Sequence, residues 1–153
     1  MSSSGAASKQ RRSRYSDWFC STLLSLSLSL KFRVLAQTLA VCQLSPVAQV
    51  PAWALQGELF SATRTASELS IVCDESRVPD GIKIERNFVA LKLEGPFPFS
   101  MTGVLTSFIG PLAGNKIPVF AIATFDTDYI LINREKLDSA LRALGEAGHE
   151  MLT

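Results

Sequence analysis

The sequence predicts an α+β protein made of two interdependent modules, and three observations support this. The chain has 153 residues, enough for one compact domain or for two small modules that share a core. Its first half shows almost only strand patterns, whereas its second half alternates strand and helix patterns. Between the halves, the polar segment 74–81 contains Pro79-Asp80-Gly81, which makes it the best internal boundary.

The first half is predicted to form strands and a single helical turn. Leucine and serine alternate strictly from Leu24 to Leu30, which is the period of a strand, and this stretch runs on into residues 31–35. Residues 39–44 are apolar, and Ser45-Pro46 ends that second strand. The remaining elements are a helical turn over 51–55 that begins with a proline and a hairpin of 59–64 with 68–73 around 65–67.

The second half is predicted to alternate strand and helix. Residues 88–94 form a strand stopped by Gly95-Pro96, and Ser100 caps a helix over 102–109 that ends near Gly114. The elements that follow are a strand over 118–124, a turn at 126–128, a strand over 129–132 and an amphipathic helix over 135–144 that ends at Gly145 or Gly148. This β-α-β-β-α order is the ferredoxin-like plan without its last strand. We expect the first half to pair at the edge left open.

The organisation that follows is a disordered basic leader (1–23), a strand-rich N-terminal module (24–80) and a C-terminal module (81–153). Residues 1–16 are rich in Ser, Gly, Ala and Arg and contain no acidic side chain, which is typical of disorder. The Leu/Ser alternation and the lack of a small-x-small cleavage motif argue against a secretory signal. A solvated tail is favoured and an organelle transit peptide stays open, so we expect a cytoplasmic protein.

Charge, apolar stretches and cysteines exclude several classes of protein. The formal net charge is +1, whereas phosphate binding needs clustered Lys and Arg, so no nucleic-acid partner is expected. No run of about 18 apolar residues occurs, so neither a membrane-spanning helix nor a membrane partner is expected. Cys20, Cys42 and Cys73 match neither a metal spacing nor a disulfide framework, which predicts buried free thiols in a reducing compartment.

The sequence carries no motif of a common catalytic centre. It contains no nucleophile elbow, no P-loop and no dinucleotide fingerprint. His149 is the only histidine, and its place near the end of the chain predicts a surface side chain. Histidine-based triads and metal sites are therefore not expected. We predict a protein that is not an enzyme and that binds no metal and no cofactor.

The carboxylates of Asp126 and Asp128 are open to two interpretations. Asp126 and Asp128 flank Thr127 in a predicted hairpin turn. The first interpretation is turn chemistry, because aspartate bonds its own backbone and tolerates tight turns. The second is a site for a cation or an amine at the end of a buried sheet. A D-x-D pair with no further carboxylates is weak evidence for a metal.

The connection from strand to helix is equally open to two interpretations. Gly95 and residues 100–103 lead into a helix start, which offers free backbone N–H groups and the positive end of a dipole. A carboxylate can dock there, or the segment is a plain capped helix with a glycine for close packing. If this helix start and the acidic turn lie on the same side of the sheet, together they suit a free amino acid.

The segments around this connection and the acidic turn resemble ACT domains. Residues 101–113 followed by 117–124 resemble the glycine-helix-strand core of these domains. The string Ala-Thr-Phe-Asp-Thr-Asp-Tyr-Ile-Leu at 123–131 is more specific, and it is similar to the subfamily of aspartate-kinase regulatory domains and cytosolic arginine sensors. Residues 40–44, 51–54 and 63–73 match small proteins with a paired-ACT layout.

The resemblance implies a non-catalytic fold of two ferredoxin-like modules, each of the βαββαβ type, that share antiparallel sheets. Such proteins bind amino acids at an interface between ACT modules. The aspartate that matches Asp128 holds the cationic side chain of the ligand in the arginine sensor. The ligand-binding residues that the resemblance implies are Ser100, Met101, Thr102, Gly103, Val104, Thr124, Phe125, Asp126 and Asp128.

The chain departs from the arginine sensor at Met101, where the sensor has an acidic residue, so the identity of the ligand stays open. The sensor has four ACT modules and this chain about two, which implies a homodimer. The leading hypothesis is an amino-acid-binding regulatory protein. The alternative is a structural interaction or dimerisation module whose pocket is filled by side chains, a role that suits the flexible Met101. An enzyme that acts on an amino acid is the least favoured class.

Overall fold

The computed structural model describes residues 28–153, and the leader with the first part of the Leu/Ser alternation lies outside that range. Short 3₁₀ turns occupy Ala52–Leu55, Glu75–Arg77 and Arg134–Lys136. The strands and helices of the described range are β1 (Lys31–Val34), β2 (Leu39–Leu44), β3 (Ser61–Arg64), β4 (Leu69–Asp74), β5 (Lys83–Leu93), α1 (Val104–Gly114), β6 (Phe120–Ala123), β7 (Asp128–Asn133), α2 (Leu137–Glu146) and β8 (Glu150–Met151).

Strand β5 belongs to both modules. Its first part pairs antiparallel with β2, and its second part pairs with β1 at one edge and with β7 at the other. The first module has the strand order β3-β4-β2-β5, and the second has the order β6-β7-β5-β1-β8. Both follow the βαββαβ chain plan, with 3₁₀ turns in place of α-helices in the first. The predicted α+β fold with two ferredoxin-like modules that share antiparallel sheets is therefore confirmed.

The predicted start of β5 at Phe88 is wrong, because the strand begins at Lys83. Its first residues are mostly exposed and charged, so they lack the apolar alternation that marks a strand. The register with β2 also shifts between Leu39 and Val41. Opposite this shift, Asn87 has a φ of 65° and its N–H donates to the Glu75 carboxylate at 2.6 Å. The irregularity bends β5 from one module into the other.

The second module does have a last strand, which the sequence analysis did not predict. β8 has only two residues, and it pairs parallel with β1 through Lys31–Glu150 and Phe32–Met151. Two residues are too few to show a period, which explains the omission. β1 therefore lies between β5 and β8, so the first half of the chain does pair at the open edge, as expected.

The predicted helix start at Thr102 and the predicted cap by Ser100 are wrong. Helix α1 begins at Val104 after Gly103, which has a φ of 84° and makes no side-chain cap. Glycine occupies this left-handed conformation without the strain that a Cβ imposes. Ser100 lies instead in a turn in which the Met101 N–H donates to the Pro98 carbonyl at 2.8 Å. Helix α2 ends at Glu146, so it runs past Gly145 and stops before Gly148, the second of the two predicted glycines, which has a φ of 88°.

Three apolar clusters hold the sheet and helices together. The largest lies between the two helices and the second module's sheet, where the rings of Phe32 and Phe108 meet edge to face at 5.2 Å. The second covers the opposite face and joins the modules; it contains Leu35, Leu39, Leu59, Val72, Ala90 and Leu131. The third, inside the first module, contains Ala40, Cys42, Ala54, Leu69, Ile71 and Cys73.

Two of the three cysteines are buried free thiols, as predicted. Cys42 on β2 and Cys73 on β4 both lie in the first module's core, and Cys20 lies outside the described residues. Burial raises the pKa of both thiols, and that of Cys73 rises to about 12. Because the thiolate is the reactive form, both side chains act as apolar core residues at neutral pH.

The predicted surface position of His149 is wrong. Its side chain is only 7% exposed and packs against the ring of Phe108 at 5.2 Å. Gly148, with a φ of 88°, turns the chain back after α2, so the last residues return to the sheet beside β1. Nearness to the end of the sequence therefore did not mean exposure to solvent.

Truncating the core aromatic of α1 provides a test of this packing. Phe108→Ala removes a completely buried ring and is expected to lower the free energy of unfolding by about 3–5 kcal/mol. The exposed Phe99→Ala is the matched control, with a change within about 0.5 kcal/mol. Urea unfolding followed by circular dichroism measures both, and equal effects would contradict the assignment of Phe108 to the core.

Candidate functional site

The two segments that the sequence analysis singled out lie side by side. The β5–α1 connector (residues 94–103) meets the β6–β7 turn (residues 124–127) where the Phe97 N–H donates to the Asp126 carbonyl at 2.8 Å. Between them lies a cleft of about 200 Å³. Its lining residues are Phe97, Pro98, Phe99, Met101, Val104, Ala123, Thr124, Phe125, Asp126, Thr127 and Asp128.

Two threonines shape the β6–β7 turn. The Thr124 N–H donates to the Thr127 carbonyl at 2.8 Å, and the Thr124 hydroxyl donates to the same oxygen at 2.7 Å. The Thr127 hydroxyl is buried and donates to the Leu93 carbonyl at the end of β5, at 2.7 Å. The turn is thus closed by threonines and fastened to the shared strand, which leaves Asp126 exposed at its tip.

Gly95 allows the connector to approach the turn. A Cβ at this position would lie 2.4 Å from the Asp126 backbone oxygen and 3.2 Å from the Thr127 Cβ. A real side chain does not fit at that distance without a shift of the backbone. The close-packing interpretation of Gly95 therefore describes its role, and the glycine sets the width of the cleft.

The charged groups at the cleft are carboxylates. Asp128, the first residue of β7, is half-buried, and burial raises the pKa of its carboxyl above the ordinary value. Asp126 is exposed beside it. Since the lining contains no Lys, Arg or His, the field in the cleft is negative and favours a cation or an amine.

The rest of the lining is mainly apolar and aromatic. Phe99 and Phe125 are each 79% exposed and meet edge to face, with ring centroids 5.1 Å apart. Phe97 and Val104 lie deeper and are mostly buried. Met101 is 39% exposed and lines the wall, so the cleft is open beside it. A small ligand with an apolar part and a positive group matches this combination of surfaces.

The structure brings most of the predicted ligand-binding residues together. Met101, Val104, Thr124, Phe125, Asp126 and Asp128 line the cleft, whereas Ser100, Thr102 and Gly103 lie on the connector outside the lining. Their role in binding stays a prediction. Thr127 stood in the predicted turn but not among the predicted ligand-binding residues, because its hydroxyl bond to Leu93 is not visible in a pattern. The other lining residues outside that predicted set are Phe97, Pro98, Phe99 and Ala123.

The first module has an equivalent turn, but its surroundings differ. Thr65 donates its N–H to the Glu68 carbonyl at 2.9 Å, the same bond that Thr124 makes to Thr127. There, however, the Arg64 guanidinium bridges to the connector after β2, where it donates to the carbonyls of Pro46 and Ala48. The chain's own arginine thus bridges the turn and the connector in the first module, whereas the cleft of the second module has no arginine in its lining.

A second groove of about 530 Å³ lies where the modules meet and is lined by polar residues. Its charged groups already have partners in the chain. The Glu75 carboxylate lies 3.7 Å from the Arg86 guanidinium, and Asp74 accepts hydrogen bonds from Ser76, which lowers the pKa of the Asp74 carboxyl. This groove therefore offers fewer free groups to a ligand than the smaller cleft does.

No group of three or more His, Cys, Asp or Glu side chains in residues 28–153 is arranged to hold a metal ion. No helix in this range is long and apolar enough to cross a membrane.

The shared strand, the paired modules and the cleft at a hairpin turn define a paired ferredoxin-like protein with a candidate ligand site. The ACT domain profile matches residues 83–146, and the profile of a separate N-terminal domain matches residues 37–81. Residues 83–146 are therefore an ACT domain, which confirms the resemblance.

Solved structures share this architecture, and a human protein is similar in sequence. The crystal structure of Atu0741 from Agobacterium tumefaciens is 37% identical, covers 82% of this chain and 93% of its own, and superposes with a TM-score of 0.78. The regulatory subunit of aspartate kinase from Thermus thermophilus is 10% identical with a TM-score of 0.55, over 80% of this chain and 99% of its own, and shows the fold alone. The human protein CASTOR3P is 31% identical over 93 residues, which cover 52% of this chain and 57% of that protein.

The glycine at the connector provides a test of the cleft's geometry. Gly95→Ala places a Cβ against the Asp126 carbonyl and is expected to lower the free energy of unfolding by about 1–3 kcal/mol. Gly110→Ala is the matched control, because that site in α1 has nothing within 4 Å and alanine favours a helix by up to about 1 kcal/mol. Chemical denaturation measures both, and a neutral Gly95→Ala would contradict the close approach.

Proposed function

We propose that this protein is a non-catalytic regulator that binds a free amino acid in the cleft between the β5–α1 connector and the β6–β7 turn. The observation that carries the proposal is the meeting of these two segments. One brings carboxylates, and the other leads into the start of a helix. A zwitterion has a positive and a negative end that match this pair.

The amine end of the ligand faces the turn in this proposal. Asp128 is half-buried, so its carboxylate is less screened by water than that of the exposed Asp126. A cationic group there gains a charge-assisted hydrogen bond in partly desolvated surroundings. Asp128 is accordingly the main anchor, and Asp126 adds to the field.

The carboxylate end faces the start of α1. No side chain caps this helix, and Gly103 brings the backbone in without a Cβ on the approach. The first N–H groups of a helix lack partners within it, and the dipole adds positive charge. Val104 belongs both to this first turn and to the cleft lining, so a ligand in the cleft lies next to it.

The size of the cleft and the proteins that share this fold both support a small amino-acid ligand. A volume of about 200 Å³ is below the roughly 300–1,000 Å³ of pockets for drug-sized ligands, which suits a small molecule. Proteins of the same fold include the regulatory subunit of aspartate kinase from Thermus thermophilus and E. coli aspartokinase III, whose structure was solved in complex with aspartate and ADP. Regulation follows if the ligand binds one conformation or assembly more tightly than another.

The assembly in this proposal is a homodimer joined at β6. Within the described residues β6 pairs only with β7, so its other edge has unpaired backbone groups. The strand sequence Phe-Ala-Ile-Ala carries no charge, and Val119 and Phe120 are partly exposed. An apolar edge strand of this kind pairs readily with another chain. A second copy joined there would extend the sheet.

A dimerisation module without a ligand is the second candidate function. The exposed pair Phe99 and Phe125 at the mouth of the cleft favours it, because a partner surface would bury both rings. In that case the cleft is part of an interface, and no small molecule enters it.

Calorimetric titration with each of the twenty amino acids separates the two candidates. We expect heat of binding for at least one amino acid, and Asp128→Asn should weaken that binding at least tenfold, because the neutral amide removes the anchoring charge. Asp126→Asn is the matched control and should have a smaller effect, since that side chain is exposed. No heat with any of the twenty would contradict the proposal and favour the ligand-free module.

The same titration has an expected pH dependence. The pKa of the Asp128 carboxyl is raised by burial, so this group loses its charge at a higher pH than an ordinary aspartate as the solution is acidified. Affinity for the amino acid should therefore fall on acidification through that raised pKa and stay level above it. In Asp128→Asn this part of the pH dependence should be missing.

A charge placed on the β6 edge tests the dimer. Ala121→Lys puts an ammonium group on the exposed edge strand and is expected to give the mass of one chain in analytical ultracentrifugation, where the wild type gives two. Ala62→Lys is the matched control, because it lies at the equivalent position of the first module's edge strand β3. A dimer that survives Ala121→Lys but not Ala62→Lys would move the interface to β3.

A further inference from the structure

The residues that lead into β1 lie against α1 and the last turn of the chain. We call residues 28–30 the strap. The Ser107 hydroxyl of α1 donates to the Leu28 carbonyl at 2.9 Å, and the Ser29 hydroxyl donates to the Gly148 carbonyl at 2.6 Å. The Glu150 N–H donates to the Leu30 carbonyl at 2.9 Å. The strap thus bonds to both the helix and the segment that returns to β8.

The buried side chain of His149 links the strap, helix α1 and the segment that returns to β8. Its Nδ1 accepts from the Leu30 N–H at 3.1 Å, and its Nε2 lies 3.1 Å from the Ser107 carbonyl. A backbone N–H only donates and a carbonyl only accepts, so both bonds form together in one state of the ring. That state is the neutral imidazole with its proton on Nε2.

Ser107 connects this hydrogen-bond network with the residues beside the cleft. Its N–H donates to the Gly103 carbonyl at 2.8 Å, which is the bond that closes the first turn of α1. Its carbonyl accepts from His149 and its hydroxyl donates to the strap. A single residue therefore connects Gly103, at the end of the connector, with Leu28 and His149. The same turn carries Val104, which lines the cleft.

We propose that His149 is a positioning residue for the cleft, which it holds in shape through Ser107 and the strap, and that protonation of its ring releases the strap and, through the bond between Leu28 and Ser107, loosens the first turn of α1. The proton enters at Nδ1 and replaces an acceptor with a donor that faces the Leu30 N–H. Two donors then oppose each other, and the bond from Leu30 is lost. This inference rests on the proposed function, and it adds a control of that site by pH.

The charged side chains on the neighbouring elements lie on the surface, so the pH response of this network is that of His149. Helix α1 contains no ionisable side chain. Lys31 on β1 and Glu150 on β8 face each other at 3.6 Å on the surface, and Glu146 closes α2 on the exposed side. Burial is the main cause that lowers the pKa of His149, against the opposing effect of its bond to Ser107. The ring is therefore neutral at physiological pH, and release occurs on acidification below the ordinary value of about 6.5.

Nuclear magnetic resonance on the full chain without any ligand tests this coupling. His149 is the only histidine, so one imidazole signal reports its protonation without assignment by mutation. We expect the amide signals of Leu30, Gly103 and Val104 to shift with the same midpoint as that imidazole. If Leu30 follows the imidazole while Gly103 and Val104 do not move, His149 is a structural latch only and the proposal is overturned.

Two variants separate positioning from folding. His149→Asn offers an acceptor oxygen near the place of Nδ1 and carries no titratable proton, so the pH step at Gly103 and Val104 should disappear. Ser107→Ala removes only the hydroxyl bond to Leu28, keeps the wild-type histidine, and keeps the chain testable if His149→Asn does not fold. It should speed hydrogen exchange of the Leu30 and Ser107 amides on the order of fivefold, the usual effect of one lost hydrogen bond.

Thr106→Ala is the matched control, because this neighbour on α1 is exposed. Its exchange rates and pH step should equal those of the wild type. Equal exchange in Ser107→Ala and Thr106→Ala would overturn the role of the strap. Since no measurement here uses a ligand, these outcomes are independent of whether an amino acid binds in the cleft.

Discussion

The structure depends on one strand being shared between two sheets. β5 has 11 residues, pairs with three different strands and is buried over Val89, Ala90 and Leu91. Its side chains alternate between the helix-covered core and the cluster that joins the modules. Neither module has a complete sheet without it. The two modules therefore fold as one unit, and a substitution that disrupts β5 destabilises both modules.

The end of β5 also sets the geometry of the cleft. The Leu93 carbonyl accepts the Thr127 hydroxyl, and Gly95 follows two residues later with no room for a Cβ. These two contacts place the connector against the turn, and they fix the distance between the carboxylate of Asp128 and the start of α1. On the far side of α1, His149 and the strap hold the same helix from behind. The cleft is thus held by the Thr127–Leu93 bond and the close approach at Gly95 on one side of α1 and by the bonds of His149 on the other.

Sequence patterns predicted the strong elements and missed the short or irregular ones. The apolar periods of α1, α2 and the β6–β7 hairpin are regular, so their existence was predictable from single residues and spacing. The charged start of β5 and the two residues of β8 have no such period. His149 and Thr127 owe their roles to contacts with Leu30 and Leu93, which are distant in sequence and invisible to any local pattern. The carboxylates of the turn were predictable because turn chemistry and resemblance both drew attention to Asp126 and Asp128.

In the proposed function, a small amino-acid ligand binds in the cleft between the connector and the turn. Chemical-shift mapping on ¹⁵N-labelled protein, with the twenty free amino acids added one at a time, locates the binding site residue by residue. We expect the largest amide shifts to fall within residues 97–104 and 124–128, around the lining of the cleft. Shifts confined to the polar groove around Thr38, Asp74 and Arg86 would contradict it and place the site at the junction of the modules.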